Sequence, residues 1–195
     1  MKRVGLTAAF LLAATAAAAA ANTRITARPN AANCGGAQWR LMTLSDPGRR
    51  SVRLTPSSTT IAAITNRPSP GRVPTSRRTA FQRQTWEVVA QVTNFRLEKG
   101  GIRLVLYDHN SYMNAVIPTP ACLSTQTRAR AQISGVWKRF GSDCAHARTD
   151  WQSLVAIVYV QGVGFWGERQ QGLRGAASNG AELHPVTGLR IVSGC

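Results

Sequence analysis

Acidic side chains are scarce in this chain of 195 residues: 8 Asp and Glu stand against 24 Lys and Arg, a formal charge of +16. A two-metal phosphodiesterase needs several clustered carboxylates, and those present are scattered along the chain. Lysine is also rare, found only at Lys2, Lys99 and Lys138, so the basic charge is almost entirely arginine. No glycine-rich loop lies between a strand and a helix, which excludes a nucleotide cofactor held in that way; no cofactor is expected. The paired cysteine spacing of zinc motifs is missing too, and Cys144-Ala145-His146 is at most half a site, so no metal is expected.

What is present begins with Lys2 and Arg3 ahead of an uncharged run over 4–20, rich in Leu and Ala and followed by small residues. Without a basic stop-transfer flank, residues 1–21 read as a cleaved secretory signal peptide, leaving no stable membrane span. Secretion, or residence in a bacterial periplasm, is expected. Cys34, Cys122, Cys144 and Cys195 remain, an even count that reads as disulfides in an oxidising compartment. Three connectivities are possible. The expected one joins Cys122 to Cys144 around a helix and Cys34 to Cys195, tying the N-terminal extension to the last strand.

Residues 22–84 form a Pro- and Arg-rich extension. Its prolines withhold backbone donors and disfavour long helices and central strands. Apolar stretches at 39–44 and 59–64 are expected as edge strands or an extended strap, and Arg67, Arg72, Arg77, Arg78 and Arg83 as a solvated basic linker.

The pattern changes in residues 85–195, expected to form the main domain. A long strand is predicted over 86–97, turned by Lys99-Gly100-Gly101 into a second over 102–107, with Ile102, Leu104 and Leu106 on its core face. A third follows over 112–117. Ser124 or Thr125 can cap a helix whose apolar stripe includes Ile133, Val136, Trp137 and Phe140, ended by Gly141. A fourth strand over 153–160, apolar on both faces and so expected to be central, precedes a Gly-rich bend or bulge at 162–167 and a polar loop over 170–179; a fifth, over 183–192, carries Pro185 at an edge or bulge. The predicted class is all-β with one helix: a five-stranded barrel of the oligonucleotide/oligosaccharide-binding (OB) type, order β-β-β-α-β-β, with an extended N-terminal arm. An α+β sheet with one packed helix is the competing arrangement.

Cys34-Gly35 with Trp39, residues 59–62, 103–108 and 115–122, Gly162-Val163-Gly164-Phe165-Trp166 and Asn179-Gly180-Ala181-Glu182-Leu183-His184-Pro185-Val186 resemble a family of uncharacterised secreted bacterial proteins. That family commonly carries an aromatic-His pair where this chain has Ile102 and Arg103. The resemblance implies export and no established activity.

Three functional classes follow. The first is a non-enzymatic binding module for anionic polymers, above all single-stranded nucleic acid. Arg103, Tyr107, Tyr112 and Asn114 are expected on the exposed outer face, with Trp166, Arg169 and Arg174 flanking the last loop. The second is a phosphodiesterase-like hydrolase in which Glu182, on the same strand face as His184, orients that histidine to activate water, with Asp108 or His109 beside them. The third is an envelope module that binds another protein.

Overall fold

The computed structural model describes residues 29–169 and 172–195. The expected signal peptide, the first residues of the extension, and Gln170 and Gln171 lie outside the described residues. Among those described, no helix is long and apolar enough to cross a membrane.

The protein is mostly β, with one sheet of six strands and few helices. In chain order the elements are α1 (Trp39–Met42), β1 (Arg53–Ser58), α2 (Ile61–Thr65), β2 (Gln84–Glu98), β3 (Gly101–Asp108), β4 (Ser111–Pro118), α3 (Arg130–Asp143), β5 (Gln152–Trp166) and β6 (Ala181–Ser193), with short 3-10 turns between. The sheet order is β1-β2-β3-β4-β6-β5, and β2 also pairs with β5. Strands β2 to β6 therefore close into a ring, in which β4 and β6 run parallel and the other neighbours antiparallel. β1 adds outside the ring, parallel to β2. Its Pro56 is tolerated because an edge strand leaves some backbone donors unused.

Alternation decides which side chains enter the ring. Ile102, Leu104 and Leu106 of β3, Met113, Ala115 and Ile117 of β4, Val158 and Val160 of β5, and Leu183 of β6 form one buried cluster. Two helices close it: α3 contributes Val136 and Phe140, the latter edge-on to Phe95 at 5.2 Å, and α2 contributes Ile61 and Ile64.

The extension departs from the strap expected of it. Its two apolar stretches are the helical turns α1 and α2, and the strand lies between them at β1. Thr60 caps α2 by accepting from the Ala63 amide at 3.1 Å. Arg77 is no solvated tether: it donates to Asp46 Oδ1 (3.0 Å), Leu41 O (2.8 Å) and Gln82 O (3.0 Å) and is buried. Phe81 packs on Trp86 and Trp166 inside the main cluster. Gly164 permits this crossing, since a Cβ there would stand 2.2 Å from the Phe81 carbonyl oxygen.

Two further expectations, the helix start and the disulfide pairing, are corrected. The helix starts at Arg130 rather than after Ser124, because residues 124–127 close a turn in which the Ser124 amide donates to Thr127 Oγ1. The Gly-rich segment bulges rather than bends away: β5 continues to Trp166, with register shifts opposite β6 that leave Pro185 in a bulge, one of its two expected positions. The disulfides join Cys34 to Cys122 and Cys144 to Cys195. Cys122 is taken by Cys34 of the extension, which leaves Cys144, next to the end of α3, for Cys195. β6 runs antiparallel to β5 and brings Cys195 back beside the end of α3.

Candidate functional site

The outer face of the ring divides into a covered half and an open half. On the covered half, Arg103, Asn114, Glu182 and His184 alternate with core residues and so point outward, yet the chain itself shields them. Arg103 is 8% exposed, and Asn114 is fully buried with neither amide atom hydrogen bonded. Their expected exposure is thus corrected: the extension packs over this side, with Leu44 and Val52 against Val163 of β5. A cleft of about 420 Å³ remains between Gly35–Gln38 of the extension and Arg103, Phe165 and Glu182 of the ring.

Arg103 organises this half. Its Nε donates to Glu98 Oε1 at 2.9 Å and its Nη1 to Glu182 Oε1 at 3.1 Å. Arg96 donates to the same Glu98 oxygen from Nη2 at 2.7 Å. Burial opposes charge on Arg103, but Glu182 and Glu98 outweigh it and hold the guanidinium above its ordinary pKa. Burial would lift Glu98 as well, yet the two arginines bring its carboxyl below the usual range. At Glu182 burial wins over the pull of Arg103, and its pKa is raised.

Glu182 and His184 do not form the acid–base pair that the hydrolase alternative requires, because Arg103 takes the carboxylate. His184 instead packs edge-on against Phe165 at 5.4 Å, and its buried Nδ1 has no hydrogen-bond partner. Burial, followed by the charges of Arg103 and Arg77, pushes its pKa well below the ordinary value. Both effects favour the neutral imidazole in the folded protein. Asp108 bonds His109 at 2.6 Å on the β3–β4 turn, where the His109 side chain is 93% exposed. Among the described residues no group of three or more His, Cys, Asp or Glu side chains is placed to hold a metal ion.

A depressed histidine pKa carries a definite sign. The unfolded chain binds a proton below about pH 6.5 that the folded chain refuses. Stability from neutral His184 is present above that pH and is lost as the pH falls, with a limiting slope of about 1.4 kcal/mol per pH unit. Glu182, with its raised pKa, acts in the opposite sense, so comparison with a variant isolates the histidine. Thermal unfolding between pH 7 and 5 should show a shallower decline for His184→Met than for the natural chain; identical slopes would remove His184 as the titrating group.

The open half carries the remaining strand residues. Tyr107 and Tyr112 pair across β3 and β4 with ring centroids 4.7 Å apart, and Tyr112 is 47% exposed. Beside them a cavity of about 370 Å³ is lined by Thr93, Asn94, Val105, Tyr112, Arg174 and Gly175, among others. The β5–β6 loop is pressed onto the sheet here: Gly175 has φ +69, and a Cβ would meet Val105 at 2.4 Å. Arg174 extends the site to Trp151, whose ring lies 5.7 Å from the Arg174 guanidinium and 4.5 Å from that of Arg96. Arg96 and Trp151 were not expected in the site. Arg96 alternates with the core residues Phe95 and Leu97, a signal the sequence offers, whereas Trp151 stands just ahead of β5 with no pattern to mark it.

Trp166 and Arg169 fall elsewhere. Trp166 is buried, donating from Nε1 to Thr79 Oγ1 at 3.1 Å, and is a packing residue. Arg169 bonds Ser69 and lines a separate cavity of about 200 Å³.

No protein-family model matches the chain, and no curated protein matches it. A solved structure described as "putative aspartyl-tRNA synthetase from Leishmania major Friedlin" is similar over 74% of this chain, at 14% identity and a TM-score of 0.45; the similar region is 22% of that chain.

Proposed function

We propose that this chain is an exported, non-enzymatic binding module for anionic polymers, single-stranded nucleic acid above all, built on an OB-like barrel. The ring supports the barrel reading: its first three strands form a meander, α3 intervenes, and the last strand lies parallel beside the third. Barrels of this type bind across their second and third strands and beside the loop joining the fourth and fifth. In this chain those elements are β3, β4 and the β5–β6 loop. The observation that carries the proposal is the open strip of Arg96, Trp151, Arg174, Tyr112 and Tyr107 at that place. Guanidinium groups would contact phosphates, and the exposed Tyr112 ring would stack on a base. Two disulfides suit an oxidising compartment outside the cytoplasm.

Fluorescence anisotropy with a single-stranded oligonucleotide tests this reading. Tyr112→Ala should weaken binding by about 5- to 150-fold, the worth of one stacked base. Arg174→Ala should reduce the slope of log affinity against log salt by about 0.7. If neither variant alters affinity or salt slope, the strip is not the binding surface. A second reading, an envelope protein-interaction module, draws on the exposed apolar side chains Val89, Val155, Ile157 and Val192 on neighbouring strands β2, β5 and β6. Unaltered oligonucleotide binding in Tyr112→Ala and Arg174→Ala, with salt-resistant protein association lost in Val155→Lys, would favour it.

A further inference from the structure

We propose that the junction of β1 with the start of β2 holds a second, discrete site for a small, multiply charged phosphate anion of the diphosphate type. A cavity of about 430 Å³ there is lined by Arg53, Arg67, Arg83, Trp86, Gln84 and Ser51, among others, a volume within the range of small-ligand sites. Three arginines and no carboxylate line the cavity; Arg83 Nη2 donates to the Arg78 carbonyl at 3.2 Å, a neutral partner that leaves its charge uncompensated. Among the described residues none of the ion pairs involves Arg53, Arg67 or Arg83. Like charges gathered without a counter-charge repel one another, and an anion with several acceptor oxygens relieves that repulsion.

Arg67 is already set in place. Its guanidinium lies 4.5 Å from the Trp86 ring and 5.8 Å from Phe81, and its carbonyl accepts from Asn179 Nδ2 at 3.1 Å. Its Nε is buried without a hydrogen-bond partner. An ordered cation with an unsatisfied donor loses little side-chain entropy on binding, which favours affinity. Because the guanidinium covers the Trp86 ring, the pocket offers charge and forked donors in place of a stacking platform. That selects a condensed phosphate over a nucleobase, and forked guanidinium groups match phosphate oxygens in pairs. Trp86 and Asn94 are eight residues apart on β2, about 26 Å of strand, so this pocket is separate from the Tyr112 strip.

The test is isothermal titration of the full oxidised chain with inorganic pyrophosphate, with citrate at matched ionic strength as the charge control. Arg67 also anchors the end of α2, so the exposed Arg53 and Arg83 carry the experiment. Arg53→Gln and Arg83→Gln should each weaken pyrophosphate binding by about tenfold or more, as expected for loss of a charge-assisted hydrogen bond. Arg174→Gln should leave it unchanged, and citrate should bind more weakly. Absence of pyrophosphate binding, equal weakening by Arg174→Gln, or citrate binding as tight as pyrophosphate would each overturn the proposal. None of these results bears on oligonucleotide binding at Tyr112, so the two sites stand or fall separately.

Discussion

Replacing Arg77 by Ala is expected to destabilise the protein by about 3–5 kcal/mol, the range for breaking one side of a buried ion pair. The side chains of Arg77 and Asp46 are 1% and 6% exposed, and Nη2 and Nε of the arginine both reach the same carboxylate oxygen. Without Arg77, the Asp46 charge stays buried and the Leu41 and Gln82 carbonyls each lose a donor. These losses fall together because one side chain ties three segments of the extension: the end of α1, the turn before β1 and the turn before β2. Burial lowers the pKa of Arg77, and Asp46 offsets that only in part; removing Asp46 alone should therefore also be costly.

Urea unfolding would read the difference, and the thermal midpoint should fall by roughly 10 °C for a chain of this size. Arg139→Ala is the contrasting case. Its ion pair with Asp143 has side chains 56% and 50% exposed, so its loss should cost about 0.5 kcal/mol or less. Arg77→Lys, which keeps the charge but lacks the fork, should lie between the two. A loss below about 1 kcal/mol in Arg77→Ala would mean that water reaches the pair and that the extension is only loosely held.

Arg77 also shows where sequence reading stops. The strands of the ring were legible from apolar runs bounded by turn residues, with alternation clearest in β3, where Ile102, Leu104 and Leu106 face the core and Arg103 and Tyr107 the other side. The helix in the middle was legible from its apolar stripe, although its first turn was not, since Ser124 and Thr127 bond each other. The extension lacks a period. Its helices have four and five residues, too short for a repeat, and β-branched Thr59, Thr60 and Ile61 suggest strand as readily as a helix cap.

The same limit governed the site. Tyr107, Tyr112 and Arg174 could be assigned to the outer face and last loop, and they gather there. Arg103 and Asn114 have the identical alternation signal but are buried, Arg103 facing the extension across the cleft, and coverage by segments distant in sequence leaves no local mark. Glu182 and His184 share a strand face as their spacing implies, but their partners, Arg103 and Phe165, come from other strands.

Loss of a disulfide is the other large effect expected. Cys34–Cys122 closes a separation of 88 residues and Cys144–Cys195 one of 51. Loop-closure entropy assigns these about 4.6 and about 4.1 kcal/mol, so Ser replacements at either pair should cost most of the protein's stability at 37 °C. The consequences for the native state should nevertheless differ. Cys34 lies near the start of the described part of the extension, and Gly35 rests on Gly100 of the β2–β3 turn, so the Cys34→Ser/Cys122→Ser variant frees the stretch of chain that roofs the Arg103–Glu182 cleft. Trypsin should then cut first within the arginine-rich extension while the ring persists. In Cys144→Ser/Cys195→Ser the freed end is β6, whose last residues pair with β5; fraying there weakens ring closure itself, and cleavage should follow global unfolding. Peptide mapping without reduction decides the connectivity first. A fragment joining Cys34 to Cys122 is expected, and one joining Cys122 to Cys144 would overturn the pairing of Cys144 with Cys195.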